Sequence, residues 1–270
     1  LGRGANYNSL PGSEIIVTNC FLTWPYLPYY GGGIIGSYAN DNSSGTITVE
    51  NCYSTGNISM TASAAGGIFG YDANQESSGT ITVTECNSSG AIEGREAGGI
   101  FGKNANRIST GNITVTNCYS NGAILGLFAG GIFGRYANME SSGTITVTNC
   151  YYSSDSTSTP QGAESGGIFG SGANQNAIVR IIASVGPVTP KIIVTNCYSN
   201  MEYLRGNDGG IFGSRANTNS GSGSEIIVTN CYLSHKNYAY IQGTGAGGII
   251  GGYANYNSSG KITITNCYFY

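Results

Sequence analysis

The residues of this chain that could do chemistry are acidic residues, one histidine and eight cysteines. Polysaccharide lyases and hydrolases need clustered carboxylates with a nearby Arg, Lys or His. The densest charged groups are Asp72 with Glu76, and Glu93 with Arg95 and Glu96, and both are interpreted as polar loops that keep the chain soluble. We therefore expect no catalytic residues and no enzymatic activity, and a polysaccharide-cleaving enzyme is the least favoured of three functional hypotheses.

The sequence also argues against binding of a metal, a cofactor or a nucleic acid. His235 is the only histidine, and without a positioned partner it is interpreted as an exposed loop residue. The cysteines are at least 32 residues apart with no CxxC pair, so we expect no metal site and no cofactor. Only 11 Lys and Arg are scattered along a chain of net charge −3, which argues against nucleic-acid binding. No apolar run is long enough to predict a membrane span.

The cysteines belong to a sequence repeat, and the fold of that repeat must determine where they lie. A cysteine recurs at intervals of 32 to 36 residues, with one interval of 47. An Ala-Asn pair precedes every cysteine, and the last Gly of a G-G-I-[FI]-G segment lies four residues before each Asn. We interpret residues 1–270 as a single domain of eight repeats of about 32 residues. The repeats are anchored at Cys20, Cys52, Cys86, Cys118, Cys150, Cys197, Cys231 and Cys267.

The repeat predicts an all-β fold. Segments such as "TITVTNC" alternate apolar residues with Thr, and "SSG" turns separate them. We predict a β-solenoid, or parallel β-helix, with about three short strands per coil. Two shorter rungs per repeat are the alternative. One repeat is lengthened within residues 176–191, which we place in a loop.

Stacked coils would bring equal repeat positions into ladders about 4.8 Å apart. Asn side chains in such a ladder hydrogen-bond along the axis and tolerate tight corners. The predicted Asn ladder contains Asn40, Asn74, Asn106, Asn138, Asn174, Asn217 and Asn255. The predicted Cys ladder contains Cys52, Cys86, Cys118, Cys150, Cys197 and Cys231. Free buried thiols are the favoured interpretation, and disulfides between coils, such as Cys20 with Cys52, are the alternative.

Regular alternation makes a prediction for G-G-I-F-G, because consecutive strand residues face opposite sides. The core would be filled by Ile34, Ile68, Ile100, Ile132, Ile168, Ile211 and Ile249. An outward apolar stripe would be formed by Phe69, Phe101, Phe133, Phe169 and Phe212. A bend after the Ile would instead bring both side chains inside.

The segments "GGIFG" (98–102) and "GNITVTNCYSNGAI" (111–124) resemble the GLUG repeat, whose pattern is Gly-Gly, two apolar residues and Gly, then N-[SC]-Y-x-x-G. The resemblance covers essentially the whole chain. Cys stands where that pattern usually has Ser. The resemblance implies a structural or adhesive protein that is extracellular or lies on a cell or virion surface.

Five N-x-[ST] sequons are candidate glycosylation sites: Asn42, Asn57, Asn87, Asn112 and Asn257. Asn42 and Asn257 occupy the same "NSSG" turn, and glycans are expected there if the source is eukaryotic or viral.

The leading functional hypothesis is a structural subunit of an extracellular fibre or surface filament. Its partner is itself, because the chain opens within a G-G-I-F-G unit at Leu1 and closes just after a cysteine. We expect head-to-tail stacking of end coils. The alternative is a carbohydrate- or cell-binding adhesin stalk that uses exposed tyrosines as sugar-stacking platforms. These follow the cysteines, at Tyr53, Tyr119, Tyr151, Tyr198, Tyr232 and Tyr268.

Overall fold

The structure is a computed structural model that describes residues 1–153, 163–177, 180–182, 186–201, 203–234, 240–242 and 244–269. These residues form a parallel β-solenoid without a helix, which confirms the predicted fold class.

Two eight-stranded parallel sheets form two sides of the solenoid. The first sheet contains, in order, β1 (Glu14–Thr18), β3 (Thr46–Glu50), β5 (Thr80–Thr84), β7 (Asn112–Thr116), β9 (Thr144–Thr148), β13 (Lys191–Thr195), β16 (Glu225–Thr229) and β19 (Lys261–Thr265). The second contains β2 (Phe21–Leu22), β4 (Tyr53–Ser54), β6 (Asn87–Ser88), β8 (Tyr119–Ser120), β10 (Tyr151–Ser153), β14 (Tyr198–Asn200), β17 (Tyr232–Leu233) and β20 (Tyr268–Phe269).

Neighbouring strands pair in parallel at equal positions of successive repeats. Ile81 of β5 lies opposite Ile47 of β3 on one side and Ile113 of β7 on the other. The rings of Phe101 and Phe133 are 4.8 Å apart, which is the usual separation of adjacent strands. Each repeat therefore forms one coil, and the alternative of two rungs per repeat is wrong.

The third side of each coil is formed by isolated parallel bridges instead of a continuous strand. Gly66 pairs with Gly98, and Phe69 pairs with Phe101. Between the bridges the backbone bends, because the N–H groups of both Ile68 and Phe69 donate to the carbonyl oxygen of Ile100. Two consecutive donors on one acceptor break the alternation of a regular strand.

This bend corrects the predicted phenylalanine stripe. Phe69, Phe101, Phe133, Phe169 and Phe212 are fully buried, in the same core as the preceding isoleucines. Their rings stack at 4.7–4.8 Å and within 7° of parallel. The outward stripe is therefore wrong, whereas the predicted isoleucine core is correct from Ile34 to Ile211, with Ile249 packed partly buried against it.

The corners of the coils are built mainly from Asn in the left-handed region. Asn40 has φ 56° at one corner, and Asn51 has φ 50° at the corner between β3 and β4. Asn adopts this conformation more easily than other residues with a Cβ because its side chain bonds locally. A corner of this kind turns the chain without adding residues, so each coil returns to the register of the coil before.

The lengthened repeat does not disturb the ladders. Its added residues include an antiparallel pair, β11 (Arg180–Ile182) and β12 (Gly186–Val188). Lys191 of β13 still lies directly opposite Thr144 of β9. A further parallel pair, β15 (Tyr203–Arg205) with β18 (Tyr240–Gln242), extends two later coils. Additional chain is thus accommodated outside the two main sheets.

The second sheet points a serine into the core of several coils. The hydroxyl groups of Ser54, Ser88, Ser120 and Ser199 are buried, and none has a hydrogen-bond partner. Elsewhere a buried serine is fully bonded: Ser77 Oγ donates to the Ser43 carbonyl at 2.7 Å and accepts from the Gly79 N–H at 2.9 Å. The two kinds of serine therefore differ in their contribution to stability.

We predict that Ser88→Ala leaves the free energy of unfolding unchanged or raises it by about 1 kcal/mol, because the unpaired hydroxyl no longer has to be desolvated. The matched variant Ser77→Ala should lower it by about 1 kcal/mol, since it removes two hydrogen bonds of a buried hydroxyl, while the Ser43 carbonyl and the Gly79 N–H remain bonded to each other. Urea unfolding followed by circular dichroism measures both. Equal losses in the two variants would contradict the assignment.

Candidate functional site

The predicted Asn positions form one continuous ladder of amides, buried up to Asn217 and half-buried at Asn255. Each Nδ2 group donates to Oδ1 of the Asn in the next coil at 2.7–2.9 Å, from Asn6 to Asn255. The second proton is also used: Asn106 Nδ2, for example, donates to the Gly111 carbonyl at 3.0 Å. These side chains tie each corner to the following turn, which makes the ladder a part of the scaffold.

The cysteines form a second ladder of free thiols. The backbone N–H of Cys118 donates to Sγ of Cys150 at 3.4 Å, and the Cys118 thiol donates to the Thr116 carbonyl at 3.2 Å. The six from Cys52 to Cys231 are buried. Burial raises the pKa of the Cys52 thiol to about 11, so the thiolate that would act as nucleophile or metal ligand is disfavoured there. At Cys231 the hydrogen bond with the Cys197 side chain outweighs burial and lowers the pKa.

The tyrosines that follow the cysteines form an outer column on the second sheet. Tyr119, Tyr151, Tyr198, Tyr232 and Tyr268 stack at 4.7–5.3 Å with nearly parallel rings. Tyr53 is separated from this stack, because Asn87 occupies the position between Tyr53 and Tyr119. Within the stack each ring covers the face of the next. This geometry favours packing over sugar stacking, which requires an open ring face.

The corner that follows G-G-I-[FI]-G gathers charged residues from successive coils. Asp72 is only 3 % exposed and accepts a hydrogen bond from Asn104 Nδ2 at 3.0 Å. Burial raises the pKa of Asp72 to about 7, and burial also raises the pKa of Asp41, one coil earlier, to about 6. The interpretation of Asp72 as an exposed, solubilising residue is therefore wrong, although Glu76 is exposed as expected.

Sequence reasoning missed this pair because Asp41 and Asp72 occupy different positions of their repeats. Asp41 follows the ladder residue Asn40, whereas Asp72 precedes Asn74 by two residues. The signal that links them is their shared closeness to the Asn ladder, which places both at one corner.

We predict that Asp72→Asn raises the free energy of unfolding at about pH 8 by up to about 4 kcal/mol, since each unit of pKa corresponds to about 1.4 kcal/mol. A carboxyl whose pKa is raised on folding costs stability as the pH rises from about 4, where it ionises in the unfolded chain, to about 7, where it ionises in the folded one. The gain should vanish near pH 4. Asn also tolerates the φ of 58° at this position.

Urea unfolding at the two pH values measures this effect. Glu76→Gln is the matched control, because Glu76 is exposed, and it should change stability little at either pH. An Asp72→Asn variant with no gain at pH 8 would show that the buried carboxyl is not destabilising.

The second charged group is an ion-pair cluster between coils. Glu96 bonds Lys103 Nζ at 2.8 Å and Arg135 Nη1 at 2.5 Å. Although burial raises the pKa of Glu96, the hydrogen bonds from Lys103 and Arg135 outweigh it and lower the pKa overall. Arg135 also lies 4.2 Å from the ring centre of Phe128. Every charge in this cluster is neutralised by a neighbour, which favours a structural role over acid–base chemistry.

A cleft of about 600 Å³ lies farther along the corner face, where it is lined by Glu164, Arg215, Asn219, Tyr253 and Tyr256. Glu164 accepts a hydrogen bond from Ser214 at 2.6 Å and lies 3.8 Å from Arg215. The rings of Tyr253 and Tyr256 are more than half exposed and meet edge to face. The cleft thus combines two exposed aromatic rings with amide and charged groups.

The sequons differ in accessibility. Asn42, Asn112 and Asn257 are exposed, and Asn57 and Asn87 are half-buried. The side chains of Asn42 and Asn257 donate to Asn8 and Asn219 of neighbouring coils. Glycans at Asn42 and Asn257 stay a prediction, which an intact mass above 27.9 kDa would support. His235 lies outside the described residues.

The fold and these ladders define a parallel β-solenoid in which polar, thiol and aromatic side chains repeat in register from coil to coil. Comparison with known protein families, characterised proteins and solved structures found no match. The described part of the chain has no helix that could span a membrane. Within the same residues, no three His, Cys, Asp or Glu side chains are grouped so as to hold a metal ion.

Proposed function

We propose that this chain is a structural element of an extracellular fibre or surface filament, in which coil stacks on coil. The observation that carries the proposal is the uninterrupted Asn ladder, which joins every coil to the next by an amide hydrogen bond that is buried in all but the last coil. Ile, Phe and Cys ladders run parallel to it. A stack held in this way is a rod whose length follows the number of coils.

The edges of the stack supply further support. Strand β19 aligns Ile262 and Ile264 with the buried Ile226 and Val228 of β16, yet Ile264 is 47 % exposed. The open edge thus presents core residues and unpaired backbone groups. Another coil there, from adjoining sequence or from a second copy, would continue every ladder. The resemblance to the GLUG repeat agrees with an extracellular, structural role.

Sedimentation velocity and electron microscopy of the 270-residue chain test the proposal. We expect concentration-dependent assembly into rods of constant width. Ile264→Lys should prevent assembly, because it places a charge against the apolar edge of the next coil. Thr265→Lys, on the outer surface, is the control and should assemble normally. A monodisperse monomer of the unaltered chain at high concentration would contradict assembly between copies.

A carbohydrate-binding stalk is the second candidate function, and the cleft with Tyr253 and Tyr256 favours it. The test is a glycan array probed with a monomeric preparation. Binding that is lost in Tyr256→Ala and kept in Tyr53→Ala would support this function and assign it to the cleft. Absence of binding to any glycan would exclude the array's sugars as ligands.

A further inference from the structure

The outer face of the first sheet carries a grid of threonines. On β3, β5, β7 and β9 the inward residues are buried Ile and Val, and the outward ones are nearly all Thr. We call this set the threonine grid, and it consists of Thr46, Thr48, Thr80, Thr82, Thr84, Thr114, Thr116, Thr144, Thr146 and Thr148. All of them are half-buried, with part of each side chain open to solvent.

The grid is regular in two directions. Parallel pairing places Thr48, Thr82, Thr114 and Thr146 directly beside one another on successive strands, at about 4.8 Å. Along one strand, Thr80, Thr82 and Thr84 are separated by two residues each, or about 6.6 Å. Thr is stiff at χ1 because it is branched at Cβ, and the strands are backed by a fully packed core. Methyl and hydroxyl groups therefore stand at fixed, repeating positions.

The hydroxyl groups of the grid are free to bind a ligand. Among the described residues, none of these threonine hydroxyls forms a hydrogen bond with another protein group, whereas the side chains of Asn74, Ser77 and Cys118 are bonded within the solenoid. Each unpaired hydroxyl can hold a water molecule, and neighbouring waters then repeat with the spacing of the grid.

The charged residues of this face lie at its two edges. Glu50 stands at one edge, on β3, and beyond β9 the same face carries the ion pair of Lys191 with Glu225 at 3.1 Å. Between these limits the outward residues are uncharged. A nucleic acid or a charged peptide would require charges here, and a crystalline polysaccharide, whose flat faces are pyranose rings, would be expected to meet aromatic side chains. The grid has neither.

We propose that the threonine grid binds the surface of ice. Ice presents a rigid lattice of water oxygens that repeats in two directions at distances similar to those of the grid. Waters held by the ordered hydroxyls would join this lattice, and the methyl groups between them would exclude disordered water. Because the strands are backed by a packed core, little conformational entropy is lost on contact. The assignment is independent of the filament proposal and would hold for a single chain.

The test is partition into slowly growing ice, together with the thermal hysteresis of the solution. We expect the unaltered chain to be enriched in ice several-fold over an inert globular protein and to depress the freezing point below the melting point. Thr82→Lys, which places a charge in the middle of the grid, should return both measures to the level of the inert protein. Thr229→Lys is the same substitution on the same sheet outside the grid, and it should leave both unchanged.

Circular dichroism must show that each variant is folded, and Thr114→Lys replaces Thr82→Lys if the latter fails to fold. Exclusion of the unaltered chain from ice would overturn the proposal. Equal partition of Thr82→Lys and the unaltered chain would overturn the assignment to the grid. Cosedimentation with crystalline chitin or cellulose, run in parallel, would reassign the face to a polysaccharide if the chain bound there and was excluded from ice.

Discussion

Replacing Gly98 with Ala should lower the free energy of unfolding by more than about 4 kcal/mol, the range reserved for severe packing defects. Gly98 forms one of the bridges on the third side of its coil. A Cβ there would overlap the carbonyl oxygen of Phe101, the nitrogen of Gly134 and the carbonyl carbon of Phe133. All three are backbone atoms, so no rotation of a side chain can relieve the overlap, and two coils would have to separate.

Thermal and urea unfolding measure the loss. Gly2→Ala is the control, because Gly2 closes the corresponding segment of the first repeat and has open space around the position of a Cβ. It should be nearly neutral. If Gly98→Ala retained full stability, the coils would not approach as closely as the bridges indicate.

Replacing Asn106 with Asp should cost about 3–5 kcal/mol at neutral pH, as for other unpaired buried charges. The Asn106 amide is fully buried and donates to Asn138 Oδ1 at 2.8 Å and to the Gly111 carbonyl at 3.0 Å. A carboxylate donates nothing, so it would face two acceptor oxygens in a site that excludes water. Its pKa should therefore be raised on folding, and the loss should grow as the pH rises above about 4.

Urea unfolding between about pH 4 and pH 8 tests this pH dependence. The matched control is Asn117→Asp in the same coil. Asn117 also has a positive φ, of 55°, but it is exposed and accepts a hydrogen bond from Asn149 at 3.2 Å. A carboxylate keeps this acceptor function in contact with water, and the variant should lose less than about 1 kcal/mol. Equal losses of stability at both positions would mean that burial of the Asn ladder does not explain the cost of placing a carboxylate there.

Much of the fold follows from the spacing of the repeat, because equal positions must meet when coils stack. The ladder of Asn40, Asn74 and Asn106 and the burial of Ile68 and Ile100 follow from that rule alone. The position of Phe69 does not, since alternation assumes a regular strand and the bend depends on two N–H groups that share the Ile100 carbonyl. The spacing of residues in the sequence does not predict such a hydrogen bond.

The charged corner was beyond sequence reasoning for a different reason. Asp41 and Asp72 occupy different repeat positions, so no ladder rule places them together. Their burial results from the left-handed turn at Asp72, with φ 58°, and from the way the next coil covers that turn. The grouping of Glu96 and Lys103 with Arg135 likewise combines residues from two coils, because their long side chains reach across.

The parallel register has a mechanical consequence. Hydrogen bonds between coils run along the axis of the stack, so a force applied to its two ends pulls directly on them and on the Asn ladder. Such bonds open one coil at a time, as in a zipper, instead of sharing the load by shear. Each opening of a 32-residue coil, such as the one between Cys86 and Cys118, would release about 110 Å of extended chain. Under tension a stack of this kind would lengthen in discrete steps of one coil each.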